Sequence, residues 1–503
     1  MPIPHPSQFL LALDGQLQWW HVAILVLDYA LKLAALGWVP ARRRPSSAMA
    51  WLLAIVLIPF FGLLLFFLMG SPYINRRRHR IQKEANSQLR ELGSDEPDVP
   101  EGANPTSQQM SFVKLNRQLT ALPATGGTLV KLHSDYHVTI KAIVEAIDRA
   151  KHTVNVEIYI LAWDETTAPL LEALGRAAAR GVDVRLLYDH VGSWKFPGYG
   201  DLNGCLDSLG IRWTVMLPLK PWRWRFRRPD LRNHRKIITI DGKRGFMGSQ
   251  NLIDPSYLSA ANLKQGRHWV DYLAELKGPV VTELDSIFAV DWYTESQETL
   301  DLLPPSDMSA RLDDNDEDTG EDLMQVVPSG PGFSTEPNLH LFTAIIHAAK
   351  HRVTIVSPYF IPDEALAEAV LSAAYRGVRV ELFVNQKADQ FMVGRAQASY
   401  YEELLKAGVR IYQYPYPAVL HSKFVICDDD VAVMGSSNMD MRSFMLNYEV
   451  VLMTFQGRTM NALRTLAEEY KSRSQVLDAT AWRHRPWYQK YMENVARLTS
   501  ALQ

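Results

Sequence analysis

Cysteine is nearly absent: the 503 residues include two, Cys205 and Cys427, far apart in sequence. That argues against a disulfide framework and a cysteine-built zinc cluster, and favours two buried thiols in a reducing compartment. Net charge is nearly absent too. Lys and Arg number 53 against 55 Asp and Glu, a formal sum of −2, so the chain as a whole is not a polycation made to coat nucleic acid. Only 21% of residues are charged while 47% are hydrophobic, a balance that suits a large globular core with some membrane-embedded length. The length suggests about three structural units.

Charge is missing altogether between Arg44 and Arg76. Inside that gap, Ala48–Gly70 reads AMAWLLAIVLIPFFGLLLFFLMG. This is enough apolar chain to span a bilayer as one helix, and Pro59 and Gly62 are tolerated there. Trp19–Val39 is also long enough, but carries His21, Asp28 and Lys32. Asp28 and Lys32, four apart, share a helix face and can pair. A second span with its polar face turned inward is preferred over an interfacial helix. No basic residue precedes the apolar run, so a cleaved signal peptide fits poorly. Residues 1–75 are therefore expected to form a membrane hairpin of one or two transmembrane helices. Arg76, Arg77, Arg78, Arg80, Lys83 and Arg90 place the following chain in the cytoplasm by the positive-inside tendency, against a smaller group at Arg42, Arg43 and Arg44.

After about residue 110 the chain alternates helices and strands, and does so twice. AIVEAIDRAKHTVNVEIYIL and LLEALGRAAARGVDVRLLYD in the first pass match AIIHAAKHRVTIVSPYFI and LAEAVLSAAYRGVRVELFVN in the second. Lys151 corresponds to Lys350, Gly181 to Gly377 and Gly210 to Gly408. Such alternation predicts a parallel or mixed sheet covered by helices, and the duplication predicts two α/β domains packed as a pseudo-dimer. The domains are placed at 110–305 and 326–503, the latter ending in a helical tail, with an acidic solvated linker at 306–325. That linker lacks the spacing of an EF-hand calcium loop.

Each pass ends in the same residue pattern. His234, Lys236 and Asp241 lie in HRKIITIDG and continue into Ser249 and Asn251 of GFMGSQN. His421, Lys423 and Asp428 lie in HSKFVICDD and continue into Ser436 and Asn438 of VMGSSN. One H-x-K-x4-D arises by chance in about one chain in twenty-five of this length. Two, at matching places in a repeat and each followed by GS-x-N, do not. On a strand, His and Lys two apart point to one side. The Asp then falls at the strand end, where a turn is expected. The GS-x-N turn would bring a hydroxyl and an amide back toward them. Cationic and neutral donors in this number suit a phosphate, and an imidazole can serve as nucleophile or as acid and base. Zinc hydrolysis would want a third ligand and no lysines at the metal, so no metal and no cofactor are expected.

These residues resemble the signature of the phospholipase D superfamily, over nearly the whole region after residue 110. The resemblance implies two phospholipase D-like α/β domains with one active site at their seam. It implies a metal-independent, two-step reaction in which His234 attacks phosphorus and His421 serves the leaving and entering alcohols. The motif is symmetric, so assigning the nucleophile to the first copy rests on the resemblance alone. Lys236, Lys423, Asn251 and Asn438 would hold phosphate oxygens, with Ser249 and Ser436 in support. A carboxylate downstream of each motif would orient the histidine. Glu449 lies 28 residues after His421; Asp271 lies 37 after His234, the extra length falling within DPSYLSAANLKQGRH. Asp241 and Asp428 belong to the catalytic signature, although as strand-end residues they are expected to shape the site more than touch substrate.

The N-terminal stretch RRRPSSAMAWLLAIVLIPFFGLLLFFLMG, the SPYFIPD run and the tail ENVARLTSALQ resemble bacterial cardiolipin synthases. That implies transfer of a phosphatidyl group between two phosphatidylglycerols at the bacterial inner membrane, giving cardiolipin and glycerol. A phospholipase D using water would employ the same residues and is the alternative; a soluble nuclease would have no use for Ala48–Gly70. A homodimer is left open. KPWRWRFRRPDLR, just before His234, sets Arg223, Arg225, Arg227 and Arg228 among aromatic rings. This suits an anionic membrane surface and lipid headgroups, and nucleic acid is not expected as a partner.

Overall fold

A computed structural model describes residues 19–41, 45–70, 80, 81, 84, 87, 96–220, 225–226, 229–300, 322–333 and 335–498. Arg223, Arg227, Arg228 and all of the acidic linker up to residue 321 lie outside the described residues. The chain separates into two compact units, Met1–Asn75 and Arg76–Gln503.

In the first unit, Trp19–Trp38 is one helix, and the Lys32 ammonium lies 2.7 Å from Asp28 across one turn. The apolar run Ala48–Gly70 does not form the single helix expected of it. Pro59 offers no N–H and pushes Ile58 out of the helical region, to φ −136 and ψ 74. One helix therefore covers Pro45–Leu57 and a second covers Pro59–Leu65, with a π-turn to Gly70. Among the described residues no helix is long and apolar enough to cross a membrane. Ala35, Val39, Ile55 and Phe66 pack together, while Leu25, Val26, Leu33, Leu57 and Phe60 are exposed.

The second unit is built twice on one plan. The first pass supplies β1 (Thr125–His133), β2 (Thr153–Ile158), β3 (Asp183–Asp189), β4 (Arg212–Met216), β5 (Ile237–Ile240), β6 (Arg244–Gly248) and β7 (Leu273–Lys277). The second supplies β8 (Asp322–Ser329), β9 (Arg352–Val356), β10 (Arg379–Asn385), β11 (Arg410–Tyr414), β12 (Phe424–Cys427), β13 (Val431–Gly435) and β14 (Asn447–Thr454). Their order across one mixed sheet is β11-β10-β9-β12-β13-β14-β8-β1-β7-β6-β5-β2-β3-β4. This order is symmetric about the β8–β1 pair when each strand is exchanged for its repeat partner. β2, β3 and β4 are parallel, as are β9, β10 and β11, and the inner strands are antiparallel. The seam is an antiparallel ladder of Thr125–Gly127 against Asp322–Met324.

The expected helix stops hold: Gly181 and Gly377 take φ +86 and +85, just after Ala168–Ala179 and Glu364–Tyr375. Helix Ser107–Thr120 begins with a Thr106–Gln109 capping box. It precedes the first pass in sequence but packs Phe112 and Val113 into the core of the second, beside Leu341 and Phe342. Sequence order alone does not reveal that exchange.

Candidate active site

Two short parallel ladders cross between the halves and position both histidines. Arg232–Asn233, just ahead of His234, pairs with Asn447–Tyr448 of β14. His268–Val270, just ahead of Asp271, pairs with Ala418–Leu420, just ahead of His421. The His234 N–H donates to Tyr448 O and the His421 N–H to Val270 O, both at 2.8 Å. The ends of β3 and β10 add matching clamps. Asp189 accepts from the Asn233 N–H at 2.9 Å, and Asn385 accepts from the Leu420 N–H at 2.7 Å.

This crossing exchanges the orienting carboxylates. Asp271 does not serve the histidine of its own motif; its Oδ1 lies 2.7 Å from Nδ1 of His421. Glu449 Oε2 lies 3.0 Å from Nδ1 of His234. The sequence reading had attached each carboxylate to the motif upstream of it. β7 and β14 flank the seam, so each delivers its carboxylate across it.

Nδ1 of His234 also lies 3.0 Å from the Ser436 carbonyl oxygen, which can only accept. The proton therefore sits on Nδ1, and Nε2 keeps its lone pair. Asp271 fixes His421 in the same tautomer, and its other oxygen accepts from the Tyr136 hydroxyl at 2.6 Å. Both imidazoles line one cavity of about 820 Å³, together with Asn251, Asn438, Asn447 and Tyr159.

Lys236 and Lys423 are fully buried, each donating to the carbonyl of its own motif's histidine. Burial lowers their ammonium pKa values to about 8 and about 7, against the opposing pull of Glu449 and Asp271. The two carboxylates differ. Burial pushes Glu449 up to about 7, although Lys236 and hydrogen bonds resist. Burial acts on Asp271 as well, but the His421 charge and hydrogen bonds from His421 and Ser249 hold it at about 2. Burial and the nearby lysines take His234 well below its ordinary value, so it is neutral. His421 is lowered by burial too, but opposed by Asp271.

Ser436 Oγ donates to Glu449 at 2.5 Å and accepts from the Val450 N–H at 3.0 Å; Ser249 accepts from the Tyr272 N–H at 3.1 Å. These hydroxyls hold the carboxylate-bearing strands and do not line the cavity. The preceding glycines make the approach possible. A Cβ on Gly248 would stand 2.5 Å from Tyr272 O, and one on Gly435 2.4 Å from Val450 O. Asn251 donates to the Tyr257 hydroxyl at 2.8 Å, while Asn438 Oδ1 is buried with no hydrogen-bond partner among the described residues.

Asp241 and Asp428 stand apart from this group. Both have left-handed backbone, φ +54 and +56, in the turn beyond the apolar strand. Asp241 accepts the N–H groups of Lys151, His152 and Thr153; Asp428 accepts those of Lys350, His351 and Arg352. The strand carries them away from the histidines, so these signature residues clamp the fold and do not line the cavity. Of the basic-aromatic segment, only Arg225 among the four arginines is described, and its backbone pairs with Lys220 in a two-residue ladder.

Sequence reasoning missed Tyr136, Tyr159 and Arg235. Tyr159 sets its ring 5.0 Å from that of His234 and 5.4 Å from the Lys236 ammonium. Arg235, between His234 and Lys236, points to the opposite face and pairs with Asp291 in the helix Val280–Ser296. Nothing local in the sequence names its partner.

A symmetric two-domain α/β fold with a histidine and an asparagine from each half at one cavity, and a buried lysine bonded to the carbonyl of each histidine, defines an enzyme of the phospholipase D type. Residues 143–292 and 342–471 match the family described as "Cardiolipin synthase, PLD-like domain", and 30–71 match "Phospholipase_D-nuclease N-terminal". Cardiolipin synthase A of Serratia proteamaculans is 32% identical over 95% of this chain and 98% of its own. That of Yersinia pseudotuberculosis is 33% identical over 92% and 94%. The solved phosphatidylserine synthase of Haemophilus influenzae has the same fold, with a TM-score of 0.58 at 15% identity over 79% of this chain and all of its own. The chain belongs to the cardiolipin synthase family of the phospholipase D superfamily, and is a phosphatidyltransferase.

Proposed function

We propose that this protein joins two phosphatidylglycerols into cardiolipin, releasing glycerol, by way of a phosphatidyl-histidine. Nε2 of His234 attacks phosphorus as the bond to the glycerol oxygen breaks, and His421, entering this step as imidazolium beside ionised Asp271, gives that oxygen its Nε2 proton and is left neutral. The primary hydroxyl of a second phosphatidylglycerol then gives a proton to His421 as its oxygen attacks phosphorus. The phosphorus–nitrogen bond breaks and His234 is restored. One phosphodiester replaces another, so no nucleotide is consumed.

The observation that carries this reading is the pair of imidazoles at one cavity, each locked through Nδ1 by a carboxylate from the other half. The inequivalent carboxylates support the division of labour. Neutral His234 beside Glu449 suits the nucleophile, and His421 beside the firmly ionised Asp271 suits the proton carrier. Lys236, Lys423, Asn251 and Asn438 neutralise and orient the non-bridging oxygens.

The exposed apolar side chains of the helices at Trp19–Trp38, Pro45–Leu57 and Pro59–Leu65 support insertion of this segment into the bacterial inner membrane, and the basic residues from Arg76 to Arg90 support a cytoplasmic catalytic unit. Detergent-solubilised protein given phosphatidylglycerol alone tests the function. Cardiolipin and glycerol in equal amounts support it, and phosphatidic acid as the main product would reassign the enzyme to hydrolysis.

A further inference from the structure

We propose that the segment Asp254–His268 builds a subsite for the phosphate of the acceptor lipid, with Arg267 as its cation and Lys387 beside it. This rests on the lipid-to-lipid reading above. The catalytic groups obey a two-fold plan, yet the two lipids they join play different parts. One gives up its headgroup alcohol at the reacting phosphorus, and the other brings a second phosphodiester that stays intact. Something must break the symmetry. In the second half the carboxylate follows its histidine after 28 residues instead of 37, so this segment is nine residues longer than its counterpart between Asn438 and Glu449.

The segment is firmly built. Asp254 accepts from the Thr166 hydroxyl at 3.0 Å and the Ser256 N–H at 2.8 Å. Tyr257 stacks on Trp269 at 4.3 Å. Helix Ala260–Gln265, capped by Ser259, ends at Gly266 and presents Arg267. Arg267 lines both the catalytic cavity and an adjoining one of about 580 Å³. Its Nη2 donates to Ala388 O at 3.4 Å, and its Nε is buried with no hydrogen-bond partner among the described residues.

The Lys387 ammonium and the Arg267 guanidinium share the Tyr416 ring, at 4.6 and 5.8 Å from its centre. Arg442, in the catalytic cavity alone, already donates to Asp230 O at 3.0 Å.

The acceptor's attacking oxygen is separated from its own phosphorus by one glycerol unit. That phosphate must therefore lie one glycerol length from the reacting phosphorus, toward the edge of the catalytic cavity, and Arg267 stands where this cavity meets the adjoining one. A guanidinium with an ammonium beside it fits a singly charged phosphodiester. Asp389 also lines both cavities, held by the Tyr359 hydroxyl at 2.9 Å. It repels phosphate but accepts a hydrogen bond from the secondary hydroxyl of the acceptor glycerol.

The test compares two acceptors in the full-length protein. Free labelled glycerol has no phosphate, so its exchange into phosphatidylglycerol reports phosphatidyl-enzyme formation without the subsite. Arg267→Gln should reduce cardiolipin synthesis at least tenfold while leaving glycerol exchange within about threefold. Exposed Lys387→Gln should act the same way more weakly, and it keeps the test open if Arg267→Gln misfolds. Equal loss of both reactions, or loss of neither, would overturn the subsite. Wild-type protein that catalyses neither reaction would instead strike the lipid-transfer reading itself.

Discussion

Oδ1 of Asp271 lies 2.7 Å from Nδ1 of His421, although 150 residues and the seam between the halves separate them. This carboxylate is held at about 2 by the histidine it orients, and it fixes the proton on Nδ1. Asp271→Asn should leave the fold intact yet permit the wrong tautomer, lowering kcat on the order of 10³-fold. Glu449→Gln should cost less, since Ser436 O still accepts from His234 Nδ1. Equal losses in steady-state cardiolipin synthesis would contradict the inequivalence of the two pairs.

His234→Ala and His421→Ala should each abolish turnover without changing the melting temperature by more than a few degrees. With rapid acid quenching and phosphatidyl-labelled substrate, wild-type protein should trap label on His234 and the His234 variant none. Label retained by His234→Ala would reverse the roles. EDTA should leave the rate unchanged, because the proposed steps use only the imidazoles, lysines and asparagines of the chain.

The pH profile follows from the buried bases. His234 is pulled well below its ordinary 6.5, so the acid limb of kcat/KM should fall below that pH. His421, lowered from its ordinary 6.5 by burial, loses the proton it must donate first, and Lys423 and Lys236 lose theirs near 7 and 8, so kcat/KM should decline from below 6.5 through that range. A bound phosphodiester favours the ammonium form, so the alkaline limb of kcat should lie higher than that of kcat/KM.

Lys423→Met should abolish turnover but raise the melting temperature at pH 6. The folded-state pKa of about 7 lies below the ordinary 10.5. Unfolding therefore takes up a proton between these values, and the wild-type lysine disfavours the fold below pH 7 and less so as pH rises toward 10.5. The advantage of the variant should shrink over that range in calorimetric melts.

Asp241→Ala and Asp428→Ala should destabilise by about 2 kcal/mol or more, each leaving backbone N–H groups without their acceptor. The activity of the molecules that remain folded should be little changed. Urea titration combined with active-site counting separates the two effects.

The duplicated architecture and its motifs were legible because periodicity and spacing are local. A helix, a glycine stop and an apolar strand announce themselves within about twenty residues, whereas His234 and Lys236, expected on one strand face, lie just ahead of β5 and only His234 lines the cavity. The distance from Asp241 to its histidine was equally visible, but spacing does not tell which end of a strand faces substrate. The exchange of Asp271 and Glu449 was hidden for a different reason: the two ladders that cross the seam join segments far apart in the chain. Tyr136 gave no signal, being one aromatic among many at a helix start. The apolar run Ala48–Gly70 was read by composition as one helix, and the backbone demand of Pro59 divides it.

The ladder of Thr125–Gly127 against Asp322–Met324 joins the halves through main-chain hydrogen bonds into one floor. A clamshell hinge along that line would have to tear the floor, so the enzyme has no route for opening like a book between its lobes. Headgroups must thread in and out through the mouth of a fixed cleft.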